Sequence, residues 1–459
     1  MKKRLLAVLL ALTLCGAGFC GCTKDTASDE KVKITVGGWP QESNPAERAR
    51  YDAVLEQYKK DFPNVEVEGS DWTYNVKAYL PQAAAGQLPT IYGVYFTEID
   101  RIINAGYAAD VTEYSKKYGY TDAYSDQIKD YITRDGKQYM VARSTYTMGM
   151  ALNKNVFKKA GLVNEDGSLM IPQTYDEVME YSKIIKEKTG AYGFAMATKG
   201  NGGGWHFLNL GWRFGTEFEK KVDGEWKAGF GSEECVNALT WLADMKKEGL
   251  FPQDSLIGSA DAYNLFAADQ LAMVYYDPSS TALVENYGVD RNNIAFASLP
   301  AGPGGRFAQM GGGVYIIDSN ATPAQIEACF KWIEYIGGGH ELTEQTKKNI
   351  EDSYKGQSEQ GFLVGVVPFS IWNENSEVQK YKIEMVEKYA NVDTSFFDDY
   401  EDYNKVTIRA EEPVNCQELY QVLAGCMQEA LSGKSKAEIE KIVKEAADNF
   451  ERNSLVGAE

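Results

Sequence analysis

Five aromatic residues fall where strand-like runs end: Trp39 after Lys33 to Val36, Trp72 and Tyr74 after Val65 to Val67, and Tyr95 and Phe96 after Ile91 to Val94. In open sheets built from alternating strands and helices, ligands bind in the loops beyond the carboxyl ends of the strands. Flat rings there suit a ligand with apolar C–H faces rimmed by hydroxyls, as a sugar has, with a few amide and carboxylate partners for the hydroxyls. Core packing competes as the explanation for each ring taken alone. The five together, beside Gly, Pro and Asn, make a cleft as good an account as burial.

Other chemistry is thin. Ser432-Gly433-Lys434-Ser435 looks like the end of a phosphate loop, but Gln428 stands where the loop needs its first glycine, and Gly433 reads as a helix stop. There is no Gly-x-Ser-x-Gly elbow and no His-Glu-x-x-His, and two histidines, His206 and His340, starve most zinc sites and His-based catalysis. The acids from Asp393 to Glu412 read as solvated surface, and Asn164-Glu165-Asp166-Gly167 as a turn that lacks the ligands of a calcium loop. Gly202 to Gly204 and Gly311 to Gly313 read as loops where backbone can approach a ligand closely. No catalysis, cofactor or metal is expected.

The elements that must position these residues alternate. Strand runs at Lys33 to Val36, Val65 to Val67 and Ile91 to Val94 are each followed by a helical pattern, the first at Ala46 to Phe62, which implies a parallel-type sheet with helical cover. Thr147 to Leu152 opens a second series, with later strands at Leu271 to Tyr275, Ile294 to Ala297 and Val314 to Ile317, and the last hundred residues read as mostly helical. Capping boxes stand at Thr174 with Glu177, Thr322 with Gln325, and Ser435 with Glu438. No repeat or long linker divides the 459 residues, so a discontinuous two-lobe α/β architecture fits their length.

The chain opens with Lys2, Lys3 and Arg4, then the apolar run Leu5 to Leu14, then small residues up to Gly21-Cys22, the layout of a secretory signal. That run is too short to span a bilayer. Phe19-Cys20-Gly21-Cys22 resembles a bacterial lipobox, which makes Cys22 the expected lipid anchor and Thr23 to Glu30 a polar tether; simple cleavage and secretion is the alternative. The net charge of −19 becomes −22 once the signal's three cations leave, and this acidity argues against a nucleic-acid partner. Cys235, Cys329, Cys416 and Cys426 then remain, read as buried free thiols; on one helix Cys416 and Cys426 stand about 15 Å apart, beyond disulfide reach.

A family resemblance rests on Ile34 to Trp39, Phe62-Pro63-Asn64-Val65-Glu66-Val67, Ala83-Ala84-Ala85-Gly86-Gln87-Leu88-Pro89, Ala151-Leu152-Asn153-Lys154-Asn155-Val156-Phe157, Pro172-Gln173-Thr174-Tyr175-Asp176-Glu177, Phe266 to Met273 and Leu299 to Gly305. These segments resemble the extracellular solute-binding proteins of carbohydrate ABC transporters, the maltodextrin-binding type. Thr90 departs from the family's usual Asp after the proline, and Ala151 from its frequent Tyr. The resemblance implies a two-lobe periplasmic-binding-protein-like (type II) fold with three crossovers, near Arg143 to Tyr146, Leu299 to Pro300 and Gly361 to Val367. It divides the chain into a signal (1–21), a tether (22–30), a first lobe (31–143 and 300–362) and a second (144–299 and 363–459). It implies that Trp39, Trp72, Tyr95 and Phe96 line the first lobe's cleft, Tyr146 the hinge, and Trp205, Asp277 and Gly312 the opposing side, with Trp372 a further candidate and Glu98 and Arg143 as polar contacts. The implied protein is a lipid-anchored extracellular monomer that hands an oligosaccharide to membrane permease subunits. Alternatives are a same-fold receptor for a cationic solute such as a polyamine, a secreted glycosidase with two opposed carboxylates, and a receptor serving a sensor kinase.

Overall fold

A computed structural model describes residues 31–42 and 45–457; the signal, Cys22 and the tether lie outside the described residues. The main strands are β1 (Val32–Val36), β2 (Val65–Gly69), β3 (Ile91–Tyr95), β4 (Met140–Thr147), β5 (Gly149–Asn153), β6 (Tyr192–Ala195), β7 (Leu271–Tyr276), β8 (Ile294–Ser298), β9 (Phe307–Ile317) and β10 (Thr407–Ala410). They form two separate sheets.

The first sheet runs β10-β9-β3-β1-β2, with β4 on the other side of β9. β1 is parallel to β2 and β3, as the alternation implies, whereas the long β9 is antiparallel to β3 and β4. In β1 the buried Ile34 and Val36 alternate with Lys33 and Thr35, the pattern of a strand with one covered face. The second sheet runs β8-β5-β7-β6. Every position of β5, β7 and β8 is buried, because helices cover both faces, and this is why these strands read as unbroken apolar runs.

Each sheet has its own core: Ile34, Tyr92, Ile316 and Trp332 belong to the first, and Leu152, Phe194, Val274 and Leu423 to the second. The chain passes from first to second at Met148, between β4 and β5, and returns within β9, where Phe307 still packs on the second core and Met310 belongs to the first, later than the crossing expected near Leu299 to Pro300. The C-terminal third departs from the expected single crossing. Leu363 and Val366 pack in the second core, Ile371, Trp372 and Val378 return to the first, and Phe397 and Tyr400 rejoin the second. These apolar groups are too short and scattered for periodicity to assign them to a lobe.

The helices that matter for the site are α1 (Pro45–Asp61), α2 (Tyr175–Thr189), α3 (Gly200–Phe214), α4 (Glu233–Lys247), α5 (Pro323–Ile333), α6 (Glu344–Glu359), α7 (Glu377–Tyr389), α8 (Cys416–Leu431) and α9 (Lys436–Phe450). All three capping boxes read from sequence are formed, at the starts of α2, α5 and α9. Neither glycine cluster is a loop. Gly202 to Gly204 lie inside α3, where a Cβ on Gly204 would sit 2.2 Å from the backbone of Tyr420, so the glycine lets α3 lie directly on α8. Gly311 to Gly313 lie in β9. The four cysteines are free and buried. Among the described residues no helix is long and apolar enough to cross a membrane.

Candidate functional site

The carboxyl ends of β1 and β3 open into a space between the two cores. About 410 Å³ of it is lined by Gly37, Trp72, Tyr95, Arg143, Tyr146 and Tyr315, among others. It continues, past Tyr95, Tyr146 and Gly312, into about 320 Å³ lined also by Asn201, Trp205, Glu411, Gln417 and Tyr420. One cleft therefore has β1, β3, β4 and β9 on one wall and α3, α8 and the segment after β10 on the other.

Its rings are held from behind. Trp72 is half-buried, its indole donating to Gln82 Oε1 at 3.0 Å and its edge meeting Tyr92 with centroids 5.0 Å apart. Tyr95 is 54% exposed, far more than the rings packed in the cores, and its ring meets that of Tyr74 edge-on. Tyr146 and Trp205 approach from opposite walls, centroids 6.2 Å apart and nearly perpendicular. Gly312 is required where it stands, since a Cβ there would lie 2.4 Å from the Phe96 ring and 2.3 Å from the Ser144 carbonyl oxygen.

Three of the expected cleft residues are core residues instead. Trp39 is 8% exposed, stacked on Trp332 at 5.6 Å and laid over Gly69, because β1 delivers it to the face that α5 covers. Phe96 is buried beneath the cleft floor, against Gly312 and Tyr131. Trp372 is 4% exposed and stacked on Tyr124 at 5.1 Å, in the first core. Asp277 is half-buried at the end of β7, but its carboxylate accepts from the backbone N–H of Ser279 at 2.9 Å and its hydroxyl at 2.7 Å, so its own turn occupies it. Glu98 is buried under the floor, accepting from the Tyr74 hydroxyl and from Arg101 at 3.3 Å. Arg143 is exposed in the cleft, its guanidinium 5.5 Å from the Tyr315 ring centre.

Glu411 is the residue that sequence reading missed. It sits in the acidic stretch read as solvated surface, yet it lines the cleft beside Trp205, and Glu412 next to it is buried, accepting from the Trp212 indole at 2.8 Å. Burial pushes the Glu411 carboxyl up to about 7, against the opposing pull of hydrogen bonds from Tyr420 and Trp205. Gln417 and Asn201 add amides: Asn201 donates to Gln417 Oε1 at 2.7 Å, and Gln417 donates across the cleft to Thr97 Oγ1 at 3.1 Å. No local signal marks Glu411, because the groups that enclose it with the nearby Tyr420 are Trp205 on α3 and Gln309 on β9, both distant in sequence.

Two cores, a chain that crosses between them and a cleft of rings, amides and a carboxylate define a two-lobe binding protein. Residues 42–337 match the profile of the bacterial extracellular solute-binding proteins, and the chain belongs to that family. A Brucella abortus protein whose name assigns it provisionally as a binding protein is 27% identical over 175 residues, 37% of this chain and 40% of that one, so the match spans about two-fifths of that relative's length. The fold is shared with the GacH receptor of Streptomyces glaucescens, solved unliganded and with acarbose (TM-score 0.67, 18% identity, 94% of this chain and 100% of that one). It is shared equally with maltose-bound MalE3 of T. maritima (TM-score 0.67, 21% identity, 91% and 100%).

Proposed function

We propose that this protein captures an oligosaccharide outside the cell and delivers it to an ABC importer, tethered to the membrane through acylated Cys22 and acting as a monomer without covalent chemistry. The observation that carries the reading is the set of rings that line one continuous cleft from both walls, Trp72, Tyr95, Tyr146 and Trp205, with Glu411 beside Trp205 at one end. Rings stack on the apolar faces of pyranoses, and Glu411, Asn201, Gln417 and Arg143 offer acceptors and donors to the hydroxyls. The acarbose bound by GacH and the maltose bound by MalE3 support the same ligand class. Gly312 serves as the floor on which the sugar lies.

A cationic solute such as a polyamine would call for a cleft dominated by carboxylates, whereas Trp72, Tyr95, Tyr146 and Trp205 line this one, with Glu411 at one end. The direct test is native mass spectrometry of protein purified from its own host, looking for retained ligand. Mass increments of linked hexose, pentose or amino-sugar units are expected. A retained polyamine, or hydrolysis of sugars incubated with the pure protein, would overturn the reading.

A further inference from the structure

A second cavity of about 700 Å³ also lies between the lobes and is unused by the ring-lined cleft. It adjoins that cleft: Ile336 lines both, and Arg50 in its wall lies 5.0 Å over the ring of Tyr51, which lines the cleft. Its walls come from α1, the turn after β7 (Pro278 to Thr281), α6, α7 and the irregular segment Leu363 to Val366. The volume falls within the roughly 300–1,000 Å³ of small-molecule sites.

Its charges are paired with one exception. Arg50 holds Glu47 at 2.7 Å, and Asp352 holds Lys348. Lys382, on α7, is half-buried in the wall and has no hydrogen-bond or ion-pair partner among the described residues. Burial lowers its pKa, and no carboxylate raises it. An ammonium taken out of water without a counter-ion is costly, and the cost is relieved when an anion arrives. Asn349, Ser353 and Gln357 from α6 stand in the same cavity as partners for hydroxyls.

We infer that this cavity is a second stretch of the ligand site, in which the Lys382 ammonium binds an anionic group on the saccharide: a carboxylate, as on a uronic acid, or a phosphate ester. The inference rests on the oligosaccharide reading and narrows it to acidic oligosaccharides. It reconciles a strongly acidic protein with an acidic ligand, because selection depends on the local unpaired charge and a Debye length of about 8 Å screens the distant surface.

The test is calorimetric titration of the mature protein with neutral plant and starch oligosaccharides and with their uronate-bearing and phosphate-bearing counterparts. At least one acidic series is expected to bind about tenfold or more tightly than its neutral parent, and the stronger of the two identifies the anion. Lys382→Met should erase that preference while changing neutral binding less than about twofold, and Lys382→Arg should retain it. The melting temperature of each variant confirms that it folds. Neutral ligands binding as tightly as both acidic series, or a preference that survives Lys382→Met, overturns the inference and leaves the oligosaccharide reading standing. Absence of binding across all three series overturns both.

Discussion

Trp39→Ala and Trp205→Ala should separate packing from recognition. Trp39 fills space between β1 and α5, so its truncation is expected to cost about 3–5 kcal/mol of stability, read as a lowered melting temperature. Trp205 faces the cleft from a half-buried position, and its truncation is expected to weaken oligosaccharide binding about tenfold or more with a much smaller thermal shift. A large stability loss for Trp205→Ala would make it a packing residue. Glu411 gives a pH signature. Burial raises its carboxyl to about 7 and that of Glu219 to about 8, so between about pH 4.5 and 8 the folded protein holds protons that the unfolded chain has released. Stability therefore falls as the pH rises through this window, and Glu411→Gln should flatten the part of the fall that ends near pH 7. Thermal melts across pH 5 to 9 check it; an unchanged slope in the variant would contradict the burial of Glu411. At this scale the sequence marked Trp72, Tyr95, Tyr146, Trp205 and Gly312 at the cleft. It could not tell Trp39, Phe96 and Trp372 from them, because a ring at a strand end, or in an irregular segment such as the one carrying Trp372, turns inward or outward according to what packs over it. That cover is tertiary.

The strands and caps were more legible than the glycines. β1, β2, β3, β7 and β8 announce themselves by short β-branched and aromatic runs, and the capping boxes of α2, α5 and α9 are local motifs whose partners lie three residues apart. β4, β6 and β10 were not read, since what makes them strands is pairing with β9 and β7. The glycines of α3 were mistaken for a loop because their role is a helix–helix approach that only the packed structure reveals. Gly204→Ala tests that role: its methyl would meet the Tyr420 backbone, and overpacking of about 1–3 kcal/mol is expected, with α3 and α8 forced apart. Since Trp205 sits on α3 and Tyr420 on α8, the same variant should weaken ligand binding. A substitution that changed neither melting temperature nor affinity would contradict the close approach.

Across the whole molecule, the lobes meet through the covalent crossovers and a few polar contacts, among them Gln417 to Thr97. Two-lobe binding proteins close about a hinge when ligand contacts both walls. Gln417→Ala removes one bond between lobes, so small-angle scattering of the unliganded protein should show a larger radius of gyration than wild type, and an unchanged radius would assign the contact no part in closure. Two lobes and a discontinuous chain were legible in the alternation of strands and in the resemblance. The repeated returns of residues 363–400 between cores were not, since each apolar cluster there is only a few residues long. The most direct measurement of the central claim is isothermal titration of the purified protein, wild type and Trp205→Ala, against plant and starch oligosaccharides. Saturable one-to-one binding of at least one oligosaccharide by wild type, weakened about tenfold or more in the variant, is the predicted result. No binding of any oligosaccharide, or equal binding by both proteins, would contradict it.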